Sequence, residues 1–130
     1  MSEPRSRFIE HAGQRILLQD FSHNDDLQEA LRQIAAAKEF MKQNNGGPHS
    51  MRILTLTEGS RFDSEVIEAL KDLAMHHKPY ALAGAVVGLS PIQRVMYRMI
   101  NTFTGRRLAA FDNIEEAKEW LVRQKAPTSG

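Results

Sequence analysis

Apolar positions along the 130-residue chain switch repeatedly between a period of two and a period near 3.6. Residues 7–11 and 15–21 read as two short strands, with Ala12-Gly13-Gln14 between them supplying a hairpin turn. Leu27, Ala30, Leu31, Ile34, Ala37 and Met41 recur at helical spacing, and Asn44 to Pro48 ends that helix. Residues 51–57 are β-branched and strand-like. Residues 62–77 are helical, with Phe62, Val66, Leu70 and Leu73 on one face and Pro79 as the stop. Residues 80–88 (YALAGAVVG) are apolar and small, as in a central strand closely approached by helices. Ser90-Pro91 opens a third helix whose stripe of Ile92, Val95, Met96, Met99, Ile100 and Phe103 reads as a core face. Residues 108–111 form a last strand, before a helix carrying Ile114, Ala117, Leu121 and, beside them, Trp120.

The expected fold class is therefore α/β. One domain over residues 7–125 would hold a four- to five-stranded, mostly parallel sheet with an antiparallel N-terminal edge strand and four helices. Polar residues 1–6 and 126–130 would be flexible tails. Capping signals are plain: Ser22 for the first helix, Ser60 or Asp63 for the second, Ser90 for the third, and Asp112 with Glu115 for the last.

Composition narrows the chemistry. Seventeen Lys and Arg against sixteen Asp and Glu give +1, so no overall pull toward nucleic acid is expected. The absence of cysteine removes disulfides, thiol nucleophiles and thiolate metal sites. No apolar run is long enough to span a membrane, and no signal segment opens the chain; a cytoplasmic protein is the expectation. The five histidines show no ligand spacing, so neither a metal nor a cofactor is expected. His76 and His77, next to Lys78, read as partners of a helix dipole.

The charges are unevenly distributed. Residues 73–111 contain Lys78, Arg94, Arg98, Arg106 and Arg107 and no acid, which leaves −4 elsewhere. Arg94, Arg98, Arg106 and Arg107 are candidates for binding an anion or an acidic partner, unless acids such as Glu115 or Glu119 offset them. In an open parallel sheet a cleft lies beyond the carboxyl ends of the strands, which nominates Ser22, His23, Thr57, Ser90 and Asp112. Gly88-Leu89-Ser90 lacks the glycine of a nucleophile elbow, Ile92 standing in its place, so a Ser90 hydrolase is the weakest reading.

Three stretches carry a family resemblance. Leu17 to Ser22, Lys78-Pro79-Tyr80 through Gly88, and Phe103-Thr104-Gly105-Arg106 with Ala110-Phe111-Asp112 and Glu115 to Leu121 resemble the bacterial anti-sigma-factor-antagonist-like family. The resemblance implies a fold shared with STAS domains and related to Sec14-type lipid-binding domains. It also implies a non-enzymatic regulatory module whose partner is another protein, with a carrier or sensor of a small anionic or lipidic ligand as the alternative. A homodimer is left open. Antagonists of that family carry a phosphorylated serine at a helix start; Ser64, or Ser60, stands in that place here. Glu65-Val66 after Ser64 departs from the family's pattern.

Overall fold

A computed structural model describes residues 5–104 and 108–125, with the side chains of 103 and 104 excepted. Nine elements follow in sequence: β1 (Ser6–His11), β2 (Gln14–Asp20), α1 (Leu27–Asn44), β3 (Met51–Leu56), α2 (Ser64–His77), β4 (Ala81–Val87), α3 (Pro91–Thr104), β5 (Leu108–Phe111) and α4 (Ile114–Arg123). The five strands form one sheet in chain order, β1-β2-β3-β4-β5. β1 is antiparallel to β2 and the remaining pairs are parallel. This is the architecture expected from the alternating periods.

Chain order in a parallel sheet has a consequence for the layers. Crossovers of one hand, all stepping in the same direction, place their helices on the same face. The two faces separate by strand parity. Ile16, Leu18, Leu54, Ala85 and Val87 meet α4 through the fully buried Ala117 and Leu121. Leu17 and Ile53 face the other way, packing with Met41 of α1. α1 and α2 are joined by Ile34, Ala37, Val66 and Leu73. Ala117 against a sheet floored by Ala83 and Ala85 is the close approach that the small residues of β4 anticipate.

Local signals are displaced at three places, and one cap stands where it is expected. β1 begins at Ser6, and Arg5 donates to the carbonyls of Asp20 and Ser22, so the ordered chain starts earlier than its composition suggests. Asp26, not Ser22, caps α1, accepting from the Gln28 N–H; Ser22 turns back onto the Asp20 carboxylate instead. Asp63, one of the two caps expected, does cap α2, accepting from the Val66 N–H at 3.1 Å. Asn113, not Asp112, caps α4, its Oδ1 accepting from the Glu115 and Glu116 N–H groups. In each helix the residue nearest the first turn outcompetes a more distant cap, because its oxygen reaches the second and third N–H groups without bending the chain.

The largest departure is α3. Ile100 is buried, but Ile92, Val95 and Met99 are 67%, 53% and 68% exposed. The stripe taken for a core face is mostly a surface. α3 leans on α2 as its principal neighbour and meets the short edge strand β5 through the Asn101 amide, which donates to the Leu108 carbonyl at 3.3 Å, so the sheet offers it little to cover.

Gly88, at φ +96°, ends β4 in the left-handed region, and a Cβ there would stand 2.7 Å from the Glu58 nitrogen and 2.8 Å from its Cα. Gly88→Ala is expected to lower unfolding stability by about 2–3 kcal/mol, read from urea denaturation, since both backbone strain and a backbone clash oppose it.

Candidate functional site

The parallel sheet brings four loops to one edge, and hydrogen bonds lace them together. Phe21 N–H donates to the Leu56 carbonyl at 2.8 Å, and His23 N–H to that of Glu58 at 2.7 Å. Thr57 donates twice to the Val87 carbonyl, from N–H at 2.9 Å and from its hydroxyl at 3.0 Å. Ser60 is the knot of this edge. Its hydroxyl donates to the Phe21 carbonyl and accepts from the Asn24 N–H at 3.0 Å, and its carbonyl accepts from the Gln93 amide at 2.9 Å.

Ser22, His23, Thr57, Ser60 and Ser90 thus share one rim. Their hydroxyls are spent on neighbouring residues: Ser22 on Asp20, Thr57 on Val87, Ser60 on Phe21, and Ser90 in a reciprocal cap, Ser90 N–H donating to Gln93 Oε1 at 3.0 Å and Gln93 N–H to Ser90 Oγ at 3.3 Å. Among the described residues no histidine or carboxylate is bonded to Ser90. Exposed His23, at φ 57°, lies against Gly59, where a Cβ would come 2.6 Å from its Nδ1. Ser64 occupies the first position of α2, exposed, and its hydroxyl makes no hydrogen bond among the described residues. Of the two candidate switch serines, then, one is a structural knot and the other faces solvent.

The arginines separate as well. Arg94 pairs with Asp112 at 2.5 Å, so neither Glu115 nor Glu119 offsets it. Those two acids are engaged elsewhere, Glu115 with Lys118 and Glu119 with His11 at 2.6 Å. Arg98 is exposed and makes no ion pair among the described residues. Arg106 and Arg107 lie outside the described residues.

A second feature escaped the sequence reading. Between the sheet and helices α2 and α3 lies a cavity of about 50 Å³, floored by Gly84 and Val86 and bordered by Tyr97 and Ile100. Two buried polar side chains enter it. His77, 1% exposed, bonds through Nε2 to Gln19 Oε1 at 2.7 Å, and the Gln19 amide nitrogen donates to the Thr55 hydroxyl at 3.1 Å. With the amide so oriented, His77 carries its hydrogen on Nε2, and its Nδ1 accepts from His76 Nδ1 at 3.1 Å. His77 is therefore a buried hydrogen-bonding residue and not a dipole partner at a solvated helix end. The signal was present: residues 66, 70, 73 and 77 share a helical face, and the first three are apolar.

Among the described residues no group of three or more His, Cys, Asp or Glu could hold a metal ion, and no helix is long and apolar enough to cross a membrane. Compared with known proteins, the chain matches no family model, no curated protein and no solved structure.

Burial, followed by the charge of Lys38, holds His76 below the ordinary imidazole value of 6.5; Asp72 and Glu39 oppose this weakly and Lys42 adds to it. A histidine depressed in the folded state takes up its proton more readily when unfolded. Stability is then expected to fall as pH drops below about 6.5 and through the folded-state value. His76→Gln should flatten that part of the profile, measured by thermal melts between neutral pH and about pH 5. An unchanged slope would show that the loss arises elsewhere.

Proposed function

We propose that this protein is a non-enzymatic interaction module of STAS-like type, acting by contact with another protein through the exposed face of α3. One observation carries the reading. Met75, Ile92, Val95 and Met99, the exposed large hydrophobic residues among those described, lie on two neighbouring helices. Single exposed apolar side chains are ordinary, but a contiguous group on adjacent elements marks an interaction surface. The resemblance of residues 78–88 and 103–121 to anti-sigma-factor antagonists supports the same class of function. So does the rim at the strand ends, where hydroxyls and amides cap and lace the loops. Regulation by phosphorylation, if it operates, falls on Ser64, since the Ser60 hydroxyl is already committed to Phe21 and Asn24.

A second reading draws on the cavity beneath α3. An apolar hollow with the Gln19 and His77 side chains at one wall suits a small, mainly apolar ligand bearing one hydrogen-bonding group. At about 50 Å³ it holds little more than one or two waters, far below the several hundred Å³ of ordinary ligand sites, so α3 would have to move outward to admit one.

The test is a photo-crosslinking amino acid placed at position 95 in cells. A discrete protein adduct is expected there, and a weaker one or none from a control position on α1 such as Ala36, which is exposed but lies on a different helix. Absence of any protein adduct at position 95 in a folded, expressed protein would remove the reading.

A further inference from the structure

The partner on the α3 face can be specified further, on the reading just given. Between α2 and α3 runs an open groove of about 850 Å³, with Ile67, Met96 and Ile100 among its lining residues. Val95 and Met99 also line it, and they rise as a ridge on its α3 side. Glu68 and Lys71 mark its α2 border, joined to each other at 3.4 Å. Arg98 marks the α3 border. A ridge beside a groove, both apolar, is a self-complementary shape.

We infer that this face pairs with a second copy of the chain about a two-fold axis running along the α3 side of the groove, each copy's Val95–Met99 ridge filling the other's groove. An isologous contact of this kind uses one patch on both subunits. It also matches the charges. With α3 seated in the partner's groove it runs beside the partner's α2, so Arg98 on the outer side of α3 faces the partner's Glu68 and the reverse. The two Arg98 side chains then stand on opposite outer borders and do not meet.

Other occupants fit less well. A lipid surface is flat and would leave the trough unfilled, and an anionic one would meet Arg98 and Lys71 but also Glu68. A uniformly acidic partner would meet that carboxylate too. Two copies supply both the ridge and the opposite charge that each groove lacks. The apolar centre with a charged border is the arrangement of a specific protein interface.

The experiment is light scattering after size exclusion, from low to high micromolar protein, on the full chain. A dimer is expected, and Met99→Glu should leave a monomer with an unchanged circular dichroism spectrum; Ile92→Lys serves as a second variant on the same exposed face. Arg98→Glu should weaken dimerisation about tenfold, the scale of a well-placed interfacial charge pair. Adding Glu68→Arg should recover most of it, because the swap re-forms the pair across the axis. A wild-type monomer at every concentration overturns the inference. So does a dimer indifferent to both Met99→Glu and Ile92→Lys, a charge swap that restores nothing, or a monomer that sediments with phosphatidylglycerol vesicles. The crosslinking experiment separates the two levels. A discrete adduct at position 95 of a mass other than twice the chain keeps the interaction module and discards the second copy. No protein adduct discards both.

Discussion

The structure depends on a mismatch of widths. Five strands about 4.8 Å apart cover about 24 Å overall. The chain-order sheet sends α1, α2 and α3 to the same face, and three helices about 10 Å apart need about 20 Å between their axes and about 30 Å overall. The two outer helices therefore sit over the sheet's edges. On the α1 side the hairpin makes good the deficit: Phe8 of β1 stacks on Phe40 with ring centroids 5.5 Å apart, and Arg15 lies over the Phe8 ring. On the α3 side β5 has four residues and no sixth strand follows it in the described chain. α3 keeps Ile100 inside and turns Ile92, Val95 and Met99 outward.

The same crowding explains the hollow beneath α3. α2 packs against α1, and between α2 and α3 a small space remains above Gly84 and Val86, walled by Leu73, His77, Tyr97 and Ile100. Small residues in a strand permit close packing only where a helix can reach them. α4 does so from the opposite face, where it is alone and sits centrally. Gln19 and His77 occupy the border of the hollow, and their mutual bond satisfies two buried polar groups whose isolation would cost about 1–3 kcal/mol each. That bond ties the C-terminal end of α2 to β2, across a sequence separation of 58 residues.

Much of this could be read before any coordinates. The number, order and type of all nine elements follow from periodicity, because burial of one face imposes its own spacing on every strand and helix. Two things could not be read so. Periodicity says which residues of α3 share a face, but not whether anything covers it; that is decided by the width of the sheet, a property of the whole assembly. Caps were misplaced at α1 and α4 for a related reason. Ser22 and Asp112 have the right chemistry, but the chain between a strand end and its helix is also bonded to neighbouring loops, and Asn24 and Arg94 draw it elsewhere. The loops at the strand ends do meet, but that they form a lattice of loop-to-loop bonds emerges only when Ser60 is seen holding Phe21, Asn24 and Gln93 together.

That lattice bears on where regulation could act. A group added at Ser60 would have to displace bonds to two loops at once, and the loss would spread along an edge shared by β2, β3 and α3. At Ser64 the same group would meet open solvent and the first turn of α2, whose N–H groups favour negative charge but whose Asp63 and Glu65 oppose it. The two effects have opposite sign at nearly the same place. A phosphate on Ser64 would therefore change the charge presented by the α2 end of the molecule more than it would change the fold. Because α2 and α3 form the two walls of one groove, such a charge lies on the helix that faces α3 across it.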